Sequence, residues 1–157
     1  MESVIESVNI RSYEEKDWNR LMEVHDAARM EELHWAKCEC AFVPLKEKVI
    51  RERLFQYEIC VACIQEKVVG FCAYSQDELA WLYVDPAYAH QGIGRTLSNY
   101  VIEHTSKRPL HVEVLAGNEP ARRLYESCGF QLAKKACGIM PGKEEVEVIV
   151  ECMERNR

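Results

Sequence analysis

The chain has 157 residues, 48% of them hydrophobic and 29% charged, with 26 acidic against 20 basic side chains and a formal net charge of −6. Those figures describe one globular domain with a substantial core, so the expectation is a single domain over 1–157. An acidic balance argues against a nucleic-acid partner, which wants a basic stripe, and no stretch approaches the roughly 20 apolar residues of a membrane span.

The acidic N-terminal stretch has neither the basic nor the apolar region of a secretion signal, so the expected location is cytoplasmic. Val8 to Arg11 reads as a first strand. Ser12 and Glu15 have capping-box spacing for the helix that follows, and Trp18, Leu21, Met22 and His25 mark that helix's inner face. Leu33 to Phe42 shows no period and reads as a loop. Ile50, Leu54 and Tyr57 predict a second helix beginning near Pro44. Glu58 to Ile64 and Val68 to Tyr74 form a predicted hairpin through Gln65-Glu66-Lys67. Cys60 and Cys63 fall on opposite faces of its first strand by their spacing of three. The eight cysteines show no disulfide or zinc spacing, so all are expected to be reduced thiols and no metal is expected.

Glu78 to Val84 reads as a central strand ended by Asp85-Pro86, because proline gives no N–H to a ladder. Gly92 and Gly94 open a helix that runs to about Ser106, with Ile93, Leu97 and Val101 at four-residue spacing. A strand, a glycine-bearing loop and a helix start together suit a phosphate or pyrophosphate. A nucleotide P-loop would need glycine at Ala89 and Lys-Ser or Lys-Thr after Gly94, where Arg95-Thr96 stands. A dinucleotide fingerprint would need glycine or alanine at Leu97. Pro109 to Leu115 is a fifth strand, with His111, Glu113 and Leu115 alternating against Leu110, Val112 and Val114. Asn118 can cap a helix with the face Ala121, Leu124, Tyr125 and Cys128, closed by Gly129. Phe130 to Cys137 and Val146 to Cys152 are the last two strands, joined across Met140-Pro141-Gly142-Lys143.

Val84-Asp85-Pro86 with Gln91-Gly92-Ile93-Gly94-Arg95 resembles the acetyl-CoA loop of the GNAT superfamily of N-acetyltransferases. The family pattern is Arg or Gln, two residues, Gly, one residue, then Gly or Ala. Here it begins at Ala89, a departure that keeps the backbone amides and removes one side-chain contact. Leu115 to Ala121, followed by Leu124-Tyr125-Glu126 and Cys128-Gly129-Phe130, resembles the family's fifth strand and fourth helix.

The resemblance covers about residues 8 to 155. It implies an α/β (α+β) fold, a mixed central sheet of about seven strands flanked by about four helices. It also implies that acetyl-CoA is the co-substrate, whose thioester a neutral amine attacks directly. The implied cofactor contacts are Leu82, Tyr83, Val84, Ala89, His90, Gln91, Gly92, Ile93, Gly94, Arg95, Thr96, Asn118 and Tyr125.

Two side-chain tasks follow. A thiolate needs a proton donor, and Tyr125 stands at the family's motif tyrosine, seven residues past Asn118. An amine with a pKa near about 10 needs a base. Glu78 at the start of the central strand is the first candidate, with Glu113 and His111 as rivals. In the resembled fold the region between the first two helices shapes the acceptor site, which makes Glu31, Glu32, His34 and Trp35 candidate contacts. The expected partner is a small-molecule amine, with no nucleic acid and no membrane; a homodimer stays open. Two alternatives remain, a protein N-terminal or lysine acetyltransferase and a CoA-binding module without turnover.

Overall fold

The computed structural model describes residues 7–157. One mixed seven-stranded sheet runs in the order β1-β2-β3-β4-β5-β7-β6. Its strands are β1 (Val8–Ser12), β2 (Glu58–Ile64), β3 (Lys67–Ser75), β4 (Glu78–Val84), β5 (Leu110–Leu115), β6 (Gln131–Met140) and β7 (Lys143–Arg155). The helices are α1 (Trp18–Trp35), α2 (Lys48–Leu54), α3 (Ile93–Glu103) and α4 (Glu119–Ser127), so the predicted strand and helix order holds. No helix among the described residues is long and apolar enough to cross a membrane.

The alternation of each strand sends side chains into two cores. Cys60, Ala62 and Cys72 pack on one face with Leu97, Val101 and Tyr125 of α3 and α4, while Val61, Cys63 and Phe71 pack on the other with Leu21 and Val24 of α1. Cys60 and Cys63 thus lie on opposite faces, as their spacing requires. Asn118 caps α4 by accepting from the Ala121 N–H at 3.4 Å, and Gly129 closes it at φ +94°.

Several boundaries differ from expectation. Ser12 ends β1, and the Glu14 N–H is held instead by Asp17 Oδ2 at 2.8 Å, because Arg11 grips the same carboxylate with two bonds of 2.8 Å. Helix α1 continues through Glu31 and Glu32 to Trp35, three residues into the stretch that reads as a loop. Helix α2 starts at Lys48 and not near Pro44. The β6–β7 hairpin is longer than its apolar residues suggest and turns at Gly142, φ +78°.

What shapes the site is a failure of pairing. Parallel strands β4 and β5 are joined only at Glu78↔His111 and Leu79↔Val112, and beyond these they diverge. On the other side of β4, Ala73 faces Trp81 and Tyr74 faces Leu79, so Ala80 is a bulged residue at the point of divergence. A bulge bends its strand and re-aims the side chains that follow.

Candidate active site

Two cavities open from this splay. The larger, about 420 Å³, lies between β4, α3 and α4; the smaller, about 320 Å³, lies between α1, α2 and the end of the β6–β7 hairpin. Glu32, Ala80, Trp81, Tyr83 and Glu113 line both, so the two spaces meet at the splay.

The larger cavity carries an anion cradle. Gly92 stands at φ +79° with open space where a Cβ would be, and the first backbone bond of α3 runs from the Thr96 N–H to the Gly92 carbonyl. Among the described residues, the amides from Gln91 to Arg95 donate to no protein group. Free amides at the positive end of a helix favour an anion. A Cβ on Gly94 would lie 3.1 Å from Leu124 Cδ2, so glycine is what lets α3 and α4 close on this cleft. Asp85 anchors the loop from behind: it accepts from Ala87 N–H at 3.0 Å and from Arg20 at 2.8 Å. Burial alone would raise the Asp85 pKa, but the Arg20 bond and the Ala87 amide hold it below the usual carboxylate value.

Of the expected cofactor contacts, Leu82, Tyr83, Val84, Ala89, His90, Gly92, Ile93, Gly94, Arg95, Asn118 and Tyr125 line this cavity. Gln91 and Thr96 do not; the Thr96 hydroxyl turns back to donate to the Gly92 carbonyl at 3.0 Å. Tyr125 is buried, with its ring edge-on to Phe130 at 5.7 Å between centroids. Its hydroxyl bonds no other group among the described residues. Burial, then the charge of Glu32, push its pKa up, so it stays protonated and available as a donor.

The base candidates separate in space. Glu78 accepts from Tyr57 Oη at 3.0 Å and lines a third cavity together with His111, where β4 and β5 are still paired. Glu113 lines all three cavities. Glu31, Glu32 and Trp35 line the larger cavity, whereas His34 is exposed beside Glu39. Sequence reasoning named Glu32, Tyr83 and His25 one by one but not their α1 partners Arg29 and Asp26. Arg29 pairs with Glu32, which accepts from Tyr83 Oη at 3.0 Å, and His25 Nδ1 lies 2.8 Å from Asp26 Oδ1. An acid next to a histidine on an inward helix face was the one signal for the second pair.

Residues 55–132 match the acetyltransferase (GNAT) domain family. The chain is also 30% identical over 128 residues to the [ribosomal protein bS18]-alanine N-acetyltransferase of Haemophilus ducreyi, covering 77% of this chain and 81% of that protein. This chain belongs to the GNAT family. It is therefore an acetyl-CoA-dependent acetyltransferase with an amine acceptor. Among solved folds, a GNAT N-acetyltransferase from Rhodopseudomonas palustris superposes with a TM-score of 0.78 at 18% identity over the whole of both chains. YncA of Salmonella typhimurium, solved with its cofactor acetyl-CoA, gives 0.67 at 18% identity over 95% of this chain and 93% of that one.

Proposed function

We propose that this GNAT enzyme acetylates the primary amine of a small molecule. Acetyl-CoA occupies the larger cavity with its pyrophosphate on the amides from Gln91 to Arg95, and the acceptor enters the smaller one. Tyr125 protonates the departing thiolate.

The observation that carries the small-molecule reading is the position of the hairpin tip. A Cβ on Gly142 would lie 3.2 Å from Val43 Cγ2 and 3.3 Å from Val49 Cγ1, so the tip rests on the segment before α2 and on that helix's first turn. Met140 is buried with Leu33, Ala41 and Leu115 beneath it. The hairpin thereby roofs the acceptor space, which suits a compact molecule better than a polypeptide lying across the site. A protein N-terminus entering end-on is the second reading, favoured by the alanine N-acetyltransferase relative.

A panel of primary amines and amino acids, a lysine peptide and an alanine-ended peptide, assayed by release of free thiol from acetyl-CoA, tests this. Turnover of small amines is expected. Turnover confined to the alanine-ended peptide would overturn the small-molecule reading and establish the second.

A further inference from the structure

His25 is a buried titratable group to which the reading so far gives no task. It stands one turn after Leu21 on the inner face of α1, 2% exposed, and lines the smaller cavity. Its ring meets Trp81 and Tyr83 at 5.7 and 5.2 Å between centroids, and those two residues line the junction of the cavities.

Asp26 decides which nitrogen carries the proton. An ionised carboxylate only accepts, so the 2.8 Å contact places the hydrogen on Nδ1 and the lone pair on Nε2. Asp26 is itself fixed, because the same Oδ1 accepts from the Leu45 N–H at 2.9 Å. Among the described residues His25 has no other hydrogen bond, and no fully buried side-chain nitrogen or oxygen lacks a partner. Nε2 is therefore open to the cavity.

We propose that His25, held in this tautomer by Asp26, is the base that takes the proton of the acceptor amine. The inference rests on the acceptor entering the smaller cavity. The amine's ammonium passes one proton to Nε2 while Nδ1–H stays on Asp26. The freed lone pair forms the C–N bond at the thioester carbonyl carbon, and the C–S bond breaks with its electron pair going to sulfur. The thiolate takes the Tyr125 hydroxyl proton, the second proton of the new amide nitrogen restores it, and the imidazolium returns its proton to solvent.

The carboxylates nearby fit the task less well. Glu32 is engaged by Arg29 and by Tyr83 Oη, and Glu113 is exposed on β5. The charged and titratable groups facing His25 are Asp26, Arg29 and Glu32 on its own helix and Tyr83 on β4, with Arg53 and Glu113 across the cavity. Burial lowers its pKa more than Asp26 raises it, so the ring is neutral at neutral pH.

The test uses the full chain with His25→Gln and Asp26→Asn. The acceptor is whichever member of the panel turns over, peptide or small amine, so failure of the small-molecule reading leaves the experiment intact. His25→Gln should lower kcat/KM by about 10²- to 10⁴-fold and abolish the acid limb of the pH profile, which falls below about pH 6.5 in the wild type. Asp26→Asn keeps an acceptor for Leu45 and should give a smaller loss with a displaced limb. Acetyl-CoA affinity should not change in either. A folded His25→Gln enzyme within about threefold of wild type that keeps its acid limb overturns the proposal.

An acceptor-free measurement runs beside it. Diethyl pyrocarbonate acylates a neutral, accessible imidazole nitrogen, and mass mapping at neutral pH should find His25 modified. Modification of the exposed His34, His90, His104 and His111 with His25 untouched overturns the proposal even if no panel member turns over.

Discussion

Tyr83 donates its hydroxyl hydrogen to Glu32 Oε1 across 3.0 Å, tying β4 to the late turns of α1 at the point where the two cavities meet. Glu32 also holds Arg29, and the two side chains are only 23% and 18% exposed. Burial and the adjacent Glu32 charge push the Tyr83 pKa up, so its proton stays on the bond. This three-residue link fixes the wall where the two cavities meet.

The first prediction follows from that link. Glu32→Ala removes the carboxylate that pairs with Arg29 and leaves the guanidinium against Met140 Sδ, at 3.5 Å, and the Tyr83 hydroxyl. Breaking a buried pair costs about 3–5 kcal/mol, and the partial exposure of both groups places this one near the low end. Tyr83→Phe removes only a hydroxyl and should cost about 1 kcal/mol. Urea unfolding of both variants measures the difference; equal small losses would show that the pair does not support the wall.

The cradle gives a second. Gly92 at φ +79° cannot become another residue without strain, and Gly92→Asp adds a negative charge among amides that await one. Acetyl-CoA affinity should fall at least about tenfold, or roughly 1.4 kcal/mol. Gly94→Ala should act differently, by pressing on Leu124 and narrowing the cleft without new charge. Isothermal titration distinguishes the two, and unchanged affinity in a folded Gly92→Asp protein would remove the loop from the binding site.

The fold was largely legible because its signals are local. Asp85-Pro86 ends a strand and Gly92 starts a helix through chemistry confined to a few residues. Gly129 closes α4 in the same way, with φ +94°. The acceptor side was less legible because what builds it is non-local. Glu78 and Glu113 look alike as strand carboxylates. Only the two-pair register between β4 and β5 separates them, leaving Glu78 where the strands are joined while Glu113 stands past the splay. The end of α1, Leu33 to Trp35, was hidden for a related reason. Glu31, Glu32 and Trp35 face cavities and not a core, so they carry no apolar period, and tertiary contacts hold the helix there. His25 reads as one more inward residue until its Asp26 bond and the cavity beside it are seen.

Acid stability should report His25 directly. Its folded pKa lies below the ordinary imidazole value of about 6.5, with burial as the main cause. The unfolded chain therefore binds more protons than the folded one just below pH 6.5, and stability falls as the pH drops through the folded pKa. The buried Asp17 and half-buried Asp85 carboxylates are also depressed and act in a lower window, beneath about pH 3.9. His25→Gln should flatten the urea midpoint in the window just below about pH 6.5 while leaving the steep loss at lower pH. A wild-type midpoint that is flat across the upper window would count against a buried neutral imidazole.

Tyr125 decides whether the larger cavity is a binding site or the seat of proton transfer. Tyr125→Phe retains the ring, its edge contact with Phe130 and its packing against the α3–β3 core. The hydroxyl has no protein partner among the described residues, so its loss strands no buried group, and stability should change by less than about 1 kcal/mol. Acetyl-CoA affinity should hold as well, because the cradle amides are untouched. Turnover should not. A thiolate that leaves without its donor loses the contribution of a general acid, about 10²- to 10⁴-fold in kcat. The loss should be similar across amine acceptors, since the donor acts on the leaving sulfur and not on the amine. Thiol release under saturating acetyl-CoA measures it. A variant that keeps kcat within a few-fold would leave Tyr125 as packing alone; one that loses stability along with rate would show a hydroxyl bonded in the folded protein.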